Sequence, residues 1–118
     1  MYSAQVLDHF KTPRHSGDLE NATAVVECSN PVCGDILQLA ARVDGDRIAE
    51  VRFKARGCVT TIACGSFIAE HIAGKLKSEA RGLTAAIISD SLGNLPPATH
   101  HAADLAAETL AALLARLD

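Results

Sequence analysis

Aromatic side chains are scarce in this chain of 118 residues, where they make up 3% and tryptophan is missing. The basic residues are scattered, without the basic patches interleaved with aromatics that bind nucleic acids, so no nucleic-acid partner is expected. No apolar run approaches the roughly 20 residues that span a bilayer. The first residues also lack the basic and apolar regions of a signal peptide. We therefore expect a cytoplasmic protein without a membrane partner.

The composition suits one small domain over residues 1–118. Hydrophobic residues make up 48% of the chain, which is enough for one core. Because aromatics are few, that core must be built from Ala, Leu, Ile and Val. Thiols in the cytoplasm stay reduced, so the four cysteines are expected to bind metal, to react or to be buried rather than to form disulfides.

Strand patterns come first in the chain. Runs that are rich in β-branched residues, or that alternate between apolar and polar residues, predict strands over residues 23–29, 35–43 and 47–56. Asp44-Gly45-Asp46 is a hairpin signal between the last two. The simplest arrangement of these strands is an antiparallel meander.

Helical patterns frame the strands. Apolar spacing, capping residues and prolines predict four helices. The first covers residues 2–10, with Val6, Leu7 and Phe10 as its apolar stripe. The second runs from a cap at Thr60 or Thr61 to about residue 73, and the third covers residues 85–92 after a cap at Thr84. The last runs from Pro96-Pro97 to about residue 117. The order predicts an α+β fold, with helices packed on one face of a three-stranded antiparallel sheet.

Cys33 and Asp35 form the first candidate ligand pair. Pro31 and Gly34 favour a tight, exposed turn between two strands, and this turn holds the thiol and the carboxylate two positions apart. Exposed loops on a rigid scaffold are where binding residues concentrate. The alternative is a plain turn with a buried cysteine and a capping aspartate.

Cys58 follows Gly57 where the third strand gives way to a helix. Unpaired N–H groups at a helix start favour the thiolate, which is the form that binds metal or attacks a persulfide. The alternative is a small residue tucked beside Gly57. A third reading, a thiol enzyme with Cys58 as nucleophile, has no evident general base or oxyanion site in the sequence, so no enzyme is predicted.

His101 is the candidate nitrogen ligand. His101 opens the last helix three residues before Asp104, which we expect to orient its imidazole. The alternative is a surface histidine. His100 is expected to be exposed, as are three further histidines, namely His9, His15 and His71.

The other two cysteines, Cys28 and Cys64, lie inside predicted elements, a strand and a helix. We expect both to be buried, inert thiols. Cys64 is the better candidate for chemistry, since it starts less than two turns from Cys58. If both are helical, the two point about 120° apart around the axis, which disfavours shared ligation.

Several motifs resemble the IscU/NifU-type iron–sulfur cluster assembly scaffold family. They are Leu7-Asp8-His9-Phe10-Lys11-Thr12-Pro13-Arg14, Asn30-Pro31-Val32-Cys33-Gly34-Asp35, Phe53-Lys54-Ala55-Arg56-Gly57-Cys58 and Leu95-Pro96-Pro97. The resemblance implies a SufE/IscU-like α+β fold and a transient [2Fe–2S] cluster, iron or zinc. It also implies sulfur from a cysteine desulfurase and transfer to apo iron–sulfur acceptor proteins. Carried over by position, the ligands are Cys33, Asp35, Cys58 and His101.

Two departures from that family bear on function. Ala102 stands where the family usually has a third cysteine, and losing a soft thiolate weakens iron–sulfur chemistry more than zinc binding. The alternative function is therefore a zinc-stabilised sulfur-acceptor or regulatory module that no longer builds clusters. The stretch after Leu95-Pro96-Pro97 lacks the basic residue that ends the family's chaperone-binding segment, which argues against docking of a dedicated Hsp70-type chaperone.

Overall fold

Three strands lie in the middle of the chain, with helices before and after them. The computed structural model describes residues 2–31 and 33–118. The elements in chain order are helix α1 (Ala4–Lys11), strands β1 (Ala24–Ser29), β2 (Ile36–Asp44) and β3 (Arg47–Arg56), and helices α2 (Val59–Ile72), α3 (Lys77–Ala80), α4 (Ala85–Ser91) and α5 (His100–Leu117). Within these described residues, no helix has the length and apolar character needed to cross a membrane.

The sheet is an antiparallel meander in the order β1-β2-β3. Asp44 pairs with Arg47 across the β2–β3 turn, which leaves Gly45 and Asp46 as a two-residue connection. Gly45 has φ +64°, the left-handed conformation that such a hairpin turn requires and that glycine adopts at little cost. The predicted hairpin is confirmed.

The two faces of the sheet differ in burial. Leu37, Leu39 and Phe53 point inward and are at most 3% exposed, and α2 and α5 pack over this side. Gly65 of α2 lies so close to the sheet that a Cβ would come within 2.6 Å of the Phe53 ring. Outward-pointing residues such as Lys54 are exposed. The predicted α+β arrangement, with helices packed on one sheet face, is confirmed.

The helices depart from the sequence prediction at α1, which begins at Ala4 rather than at residue 2, and in three further features. Helix α2 begins earlier than predicted, with Cys58 rather than a threonine as its N-cap. The prolines before α5 form a separate 3-10 turn over Pro97–Thr99, so the helix itself starts at His100. Helix α3 was not predicted, because four residues carry too little periodicity to be recognised. Its first turn is closed by Glu79, whose Oε1 accepts the Leu76 N–H at 2.9 Å.

His9 is buried, so the prediction that it faces solvent is wrong. Its Nδ1 lies 2.8 Å from Ser66 Oγ, which also accepts the backbone N–H of Arg14 at 2.9 Å. Phe10, predicted to be part of the apolar stripe, is 38% exposed instead. His15 and His71 are exposed, as predicted. The buried face of α1 therefore combines Val6 with an imidazole that docks on α2.

The burial of His9 makes stability depend on pH. Burial lowers its pKa from 6.5, and the nearby Arg14 guanidinium acts in the same direction, against smaller opposing effects of Glu70 and Asp8. Below about pH 6.5 the unfolded chain takes up a proton that the folded protein resists, so acid favours unfolding. We expect the free energy of unfolding to fall more between about pH 7.5 and pH 5.5 in the wild type than in His9→Asn. Urea denaturation at both pH values measures this, and equal falls would contradict it.

Candidate metal centre

The candidate residues lie at the starts of three elements. Asp35 directly precedes β2, Cys58 is the N-cap of α2, and His101 is the second residue of α5. Cys33 lies in the turn between β1 and β2. Because these element starts meet at one end of the sheet, residues far apart in the chain come together there.

The β1–β2 turn is closed by its own backbone. The Asn30 N–H donates to the Asp35 carbonyl at 2.8 Å, and the Gly34 N–H donates to the Asn30 carbonyl at 2.7 Å. Gly34 has φ +75°, a conformation that a side chain would strain. Val32 of this motif lies outside the described residues. The turn leaves Cys33 exposed and Asp35 buried, at 4% exposure.

Three of the four predicted ligands form a compact cluster. The Sγ of Cys33, a carboxylate oxygen of Asp35 and an imidazole nitrogen of His101 all lie within 4.8 Å of one another. Cys58 joins them through the carboxylate, with its Sγ 3.6 Å from Asp35 Oδ2. The structure thus brings two thiols, one carboxylate and one imidazole together at a single end of the sheet.

A single oxygen of Asp35 is the centre of this arrangement. The Thr61 hydroxyl donates to Oδ2 at 2.6 Å, and His101 Nε2 lies 3.6 Å from the same atom. The Thr61 oxygen is also 3.3 Å from Cys58 Sγ. A buried carboxylate is costly unless hydrogen bonds or positive charge offset its desolvation, and these neighbours provide that compensation.

Gly57 allows the carboxylate to sit this close to α2. Its φ is +145°, and a Cβ built on it would overlap the Asp35 carboxylate. Any other residue at this position would therefore displace Asp35 as well as strain the backbone. The glycine before Cys58 is thus part of the geometry of the site, rather than only a hinge into the helix.

Asp104 does not orient His101, so that sequence prediction is wrong. Its Oδ1 lies 3.6 Å from Nδ1 of His100, four residues earlier on the same helical face. The His101 side chain, 34% exposed, reaches towards the sheet end and Asp35 instead. His100 is partly exposed, with 44% of its side chain accessible.

The remaining cysteines stand apart from the cluster. Cys64 is fully buried, and this burial, with a smaller effect of the Cys58 charge, raises its pKa to about 12. It therefore stays a protonated, unreactive thiol at neutral pH, as predicted. Cys28 is only partly buried and packs against the core. Ala102, at 1% exposure, contributes a methyl group to the core where the similar family usually carries a thiol.

Thr61 is the functional candidate that sequence reasoning missed. The sequence suggested it only as a possible helix cap, but Cys58 occupies that position and the Thr61 side chain binds Asp35 instead. The available signal was its position three residues after Cys58. On a helix this places the two side chains on the same face.

The donor set suits a transition metal. Thiolate and imidazole ligands with one carboxylate match the tetrahedral preference of zinc, and thiolates are the ligands of iron–sulfur clusters. A cavity of about 230 Å³ adjoins the site, and its lining residues include His101, Asp104, Leu105 and Glu108. A larger cavity of about 400 Å³ on the outer sheet face is lined by no thiol or imidazole among the described residues, so it offers no soft metal ligand.

Comparison with known proteins gives a consistent picture. A model of the NifU-like N terminal domain family matches residues 1–117. The iron–sulfur cluster assembly scaffold protein IscU of Aquifex aeolicus is 43% identical over 111 residues, or 92% of this chain and 71% of that protein. An IscU scaffold protein of Archaeoglobus fulgidus is 39% identical over 110 residues, or 93% and 72% of the two chains.

Solved structures agree with the sequence comparison. A protein of Fervidobacterium islandicum AW-1, assigned as an iron–sulfur cluster assembly scaffold of the SUF system, has a TM-score of 0.83 to this chain at 29% identity. The match covers 96% of both chains. Similarity in sequence and in fold therefore extends over nearly the whole length.

Proposed function

This chain belongs to the NifU-like N terminal domain family, and on that basis we propose that it is a scaffold for iron–sulfur cluster assembly. In this role the protein collects iron and sulfur, holds the nascent cluster as its cargo and passes it on. Its relatives in Aquifex aeolicus and Archaeoglobus fulgidus are named as scaffold proteins of this kind. The role requires binding and release but no catalytic residue.

One observation carries the proposal. Asp35 Oδ2 is a buried carboxylate oxygen that lies 3.6 Å from both Cys58 Sγ and His101 Nε2, and the exposed thiol of Cys33 lies within the same cluster. Four side chains of the right chemistry converge from separate elements, as a metal or cluster site requires.

Each side chain has a distinct role in the proposal. Cys33 and Cys58 hold a [2Fe–2S] cargo as thiolates and accept sulfur from a cysteine desulfurase. The exposure of Cys33 supports this, because a donor's persulfide must reach the attacking thiolate. His101 supplies a nitrogen ligand. Asp35 supplies a hard oxygen ligand that exchanges readily and so favours transfer to apo-proteins.

Anaerobic reconstitution tests the proposal. Protein incubated with ferrous iron, cysteine, a cysteine desulfurase and a thiol reductant, which reduces the persulfide sulfur to sulfide, should develop the visible absorbance of a [2Fe–2S] cluster. That absorbance should then move to an apo-ferredoxin on mixing. A three-cysteine relative treated in parallel is the positive control. If the relative assembles a cluster and this protein does not, the scaffold proposal is overturned.

A second candidate function is a zinc-stabilised module that accepts sulfur or regulates a desulfurase without building clusters. The buried Ala102 favours it, since the site then offers only two thiolates, and zinc is often held by sets that mix thiolate, imidazole and carboxylate. Metal analysis of protein purified without chelators separates the two functions. One zinc per chain that iron cannot replace would favour the module.

A further inference from the structure

Thr61 stands out among the residues around the site because it is not itself a ligand type for soft metals. It is 1% exposed and lies in the first turn of α2, three residues after Cys58. Its hydroxyl contacts two of the four candidate ligands, Asp35 Oδ2 at 2.6 Å and Cys58 Sγ at 3.3 Å. The hydroxyl thus links a carboxylate and a thiol that both belong to the candidate ligand set.

The Thr61 hydroxyl has one proton, so it can donate only one hydrogen bond at a time. At 2.6 Å the contact with the carboxylate is the stronger one, as expected for an O–H that donates to a charged oxygen. The Thr61 oxygen is then free to accept from the thiol of Cys58. Thr61 therefore fixes the Asp35 oxygen that faces the other ligands.

Metal binding changes the partners of that oxygen. A metal at Oδ2 would draw on the electron pairs that accept the Thr61 hydroxyl at 2.6 Å, so this hydrogen bond is weaker while the carboxylate is bound to metal. When the carboxylate leaves the metal, the Thr61 hydroxyl is in place to receive it.

We propose that Thr61 is a positioning residue that holds Asp35 Oδ2 by a hydrogen bond, competes with a metal for this oxygen and thereby speeds release of metal or cluster from the site. The inference rests on the proposed function, because it assumes that Asp35 is a ligand. It adds a rate-setting residue outside the ligand set. The buried hydrogen bond supplies the physical cause, since it lowers the free energy of the state in which the carboxylate has left the metal.

Cobalt(II) alone is a suitable probe, because thiolate-bound cobalt absorbs in the visible and near-ultraviolet range. Each variant is loaded with one equivalent, mixed with excess EDTA, and followed by the decay of that absorbance. Thr61→Val, which keeps the shape but removes the hydroxyl, should release cobalt at least about tenfold more slowly, the factor expected for losing one hydrogen bond to a charged group. Thr61→Ala should behave in the same way, and Thr61→Ser should restore the wild-type rate.

Two controls isolate the contact. Thr109→Val removes another buried hydroxyl, which donates to the Leu105 carbonyl at 2.7 Å, and should leave release unchanged. In an Asp35→Ala background, Thr61→Val should have no further effect, because the partner of the hydroxyl is gone. A release rate in Thr61→Val that equals or exceeds that of the wild type overturns the inference. The inference is also overturned if adding Thr61→Val to Asp35→Ala slows release by the same factor as adding it to the wild type.

The outcomes also separate this inference from the function beneath it. If the wild type binds no cobalt, or binds it equally well with Cys33→Ser, then the proposed site is wrong and the role of Thr61 is lost with it. If the wild type binds cobalt through its thiolates and the Thr61 variants release it at the wild-type rate, the scaffold proposal stands and only the role of Thr61 is wrong.

Discussion

Cys33→Ser is expected to abolish cluster assembly in anaerobic reconstitution. Cys33 is the exposed thiol of the cluster, and a serine hydroxyl at the same place stays protonated at neutral pH and is a poor ligand for iron. We expect the visible absorbance to fall by at least about tenfold, since changes even in the residues that support metal ligands cost about that much. Absorbance spectra of wild type and variant, prepared side by side, measure the effect.

Cys28→Ser is the matched control for that experiment. It makes the same chemical change at a cysteine that is partly buried in β1 and lies outside the candidate cluster, so assembly should proceed as in the wild type. Assembly that survives in Cys33→Ser would show that the cargo is held elsewhere. Loss in both variants would instead indicate a general requirement for thiols.

Asp35→Ala is expected to slow release of a bound cluster or metal. The carboxylate is the one hard ligand in the set, and hard oxygen ligands bind iron and zinc less firmly than thiolates do. Without it the remaining ligands are the two thiolates and the imidazole, which exchange more slowly. We expect the rate of transfer to an apo-acceptor to fall by roughly tenfold, which corresponds to about 1.4 kcal/mol.

Stopped-flow or manual-mixing transfer assays with loaded protein measure that rate. Asp104→Ala is a suitable control, because Asp104 is an exposed carboxylate near the same end of α5 that pairs with His100. It should leave transfer unchanged. Faster loss of the cluster from Asp35→Ala than from the wild type would mean that the carboxylate holds the cargo in place rather than helping it to leave.

The strands and the longer helices could be predicted because their signals are local. The apolar residues that alternate along β3 include Val51 and Phe53, and both are buried on the one sheet face to which the pleat directs them. The hairpin at Gly45 follows from short-range turn chemistry. Helix α3 could not be predicted, because its four residues form only one turn, and their position is set by contacts such as the pairing of Leu76 with Arg47.

The burial of His9 could not be predicted from the neighbouring residues, for a different reason. Nothing in the sequence around it indicates that its partner is Ser66, which lies 57 residues further on. A polar side chain on an apparently amphipathic helix is normally assigned to the wet face. Here a hydroxyl on the opposing helix satisfies the ring nitrogen, so the imidazole can replace an apolar residue at the contact.

The candidate ligands were suggested by motif resemblance, but their mutual arrangement was not available from spacing. Cys33 and Asp35 are close in the chain, so their turn could be predicted. The meeting of that turn with the starts of α2 and α5 depends on tertiary packing. For the same reason the sequence paired Asp104 with His101, three residues away, whereas the fold directs His101 towards Asp35.

The position of the ligands at the starts of β2, α2 and α5 links occupancy of the site to the rigidity of the whole molecule. The ends of secondary-structure elements are where local opening begins, and a bound ion that bridges three of them would resist that opening. Loading therefore also stabilises the folded protein, because a ligand that binds the folded state raises its stability by mass action. A partner protein that binds only the rigid form of this end would thereby distinguish a loaded scaffold from an empty one without contacting the cargo.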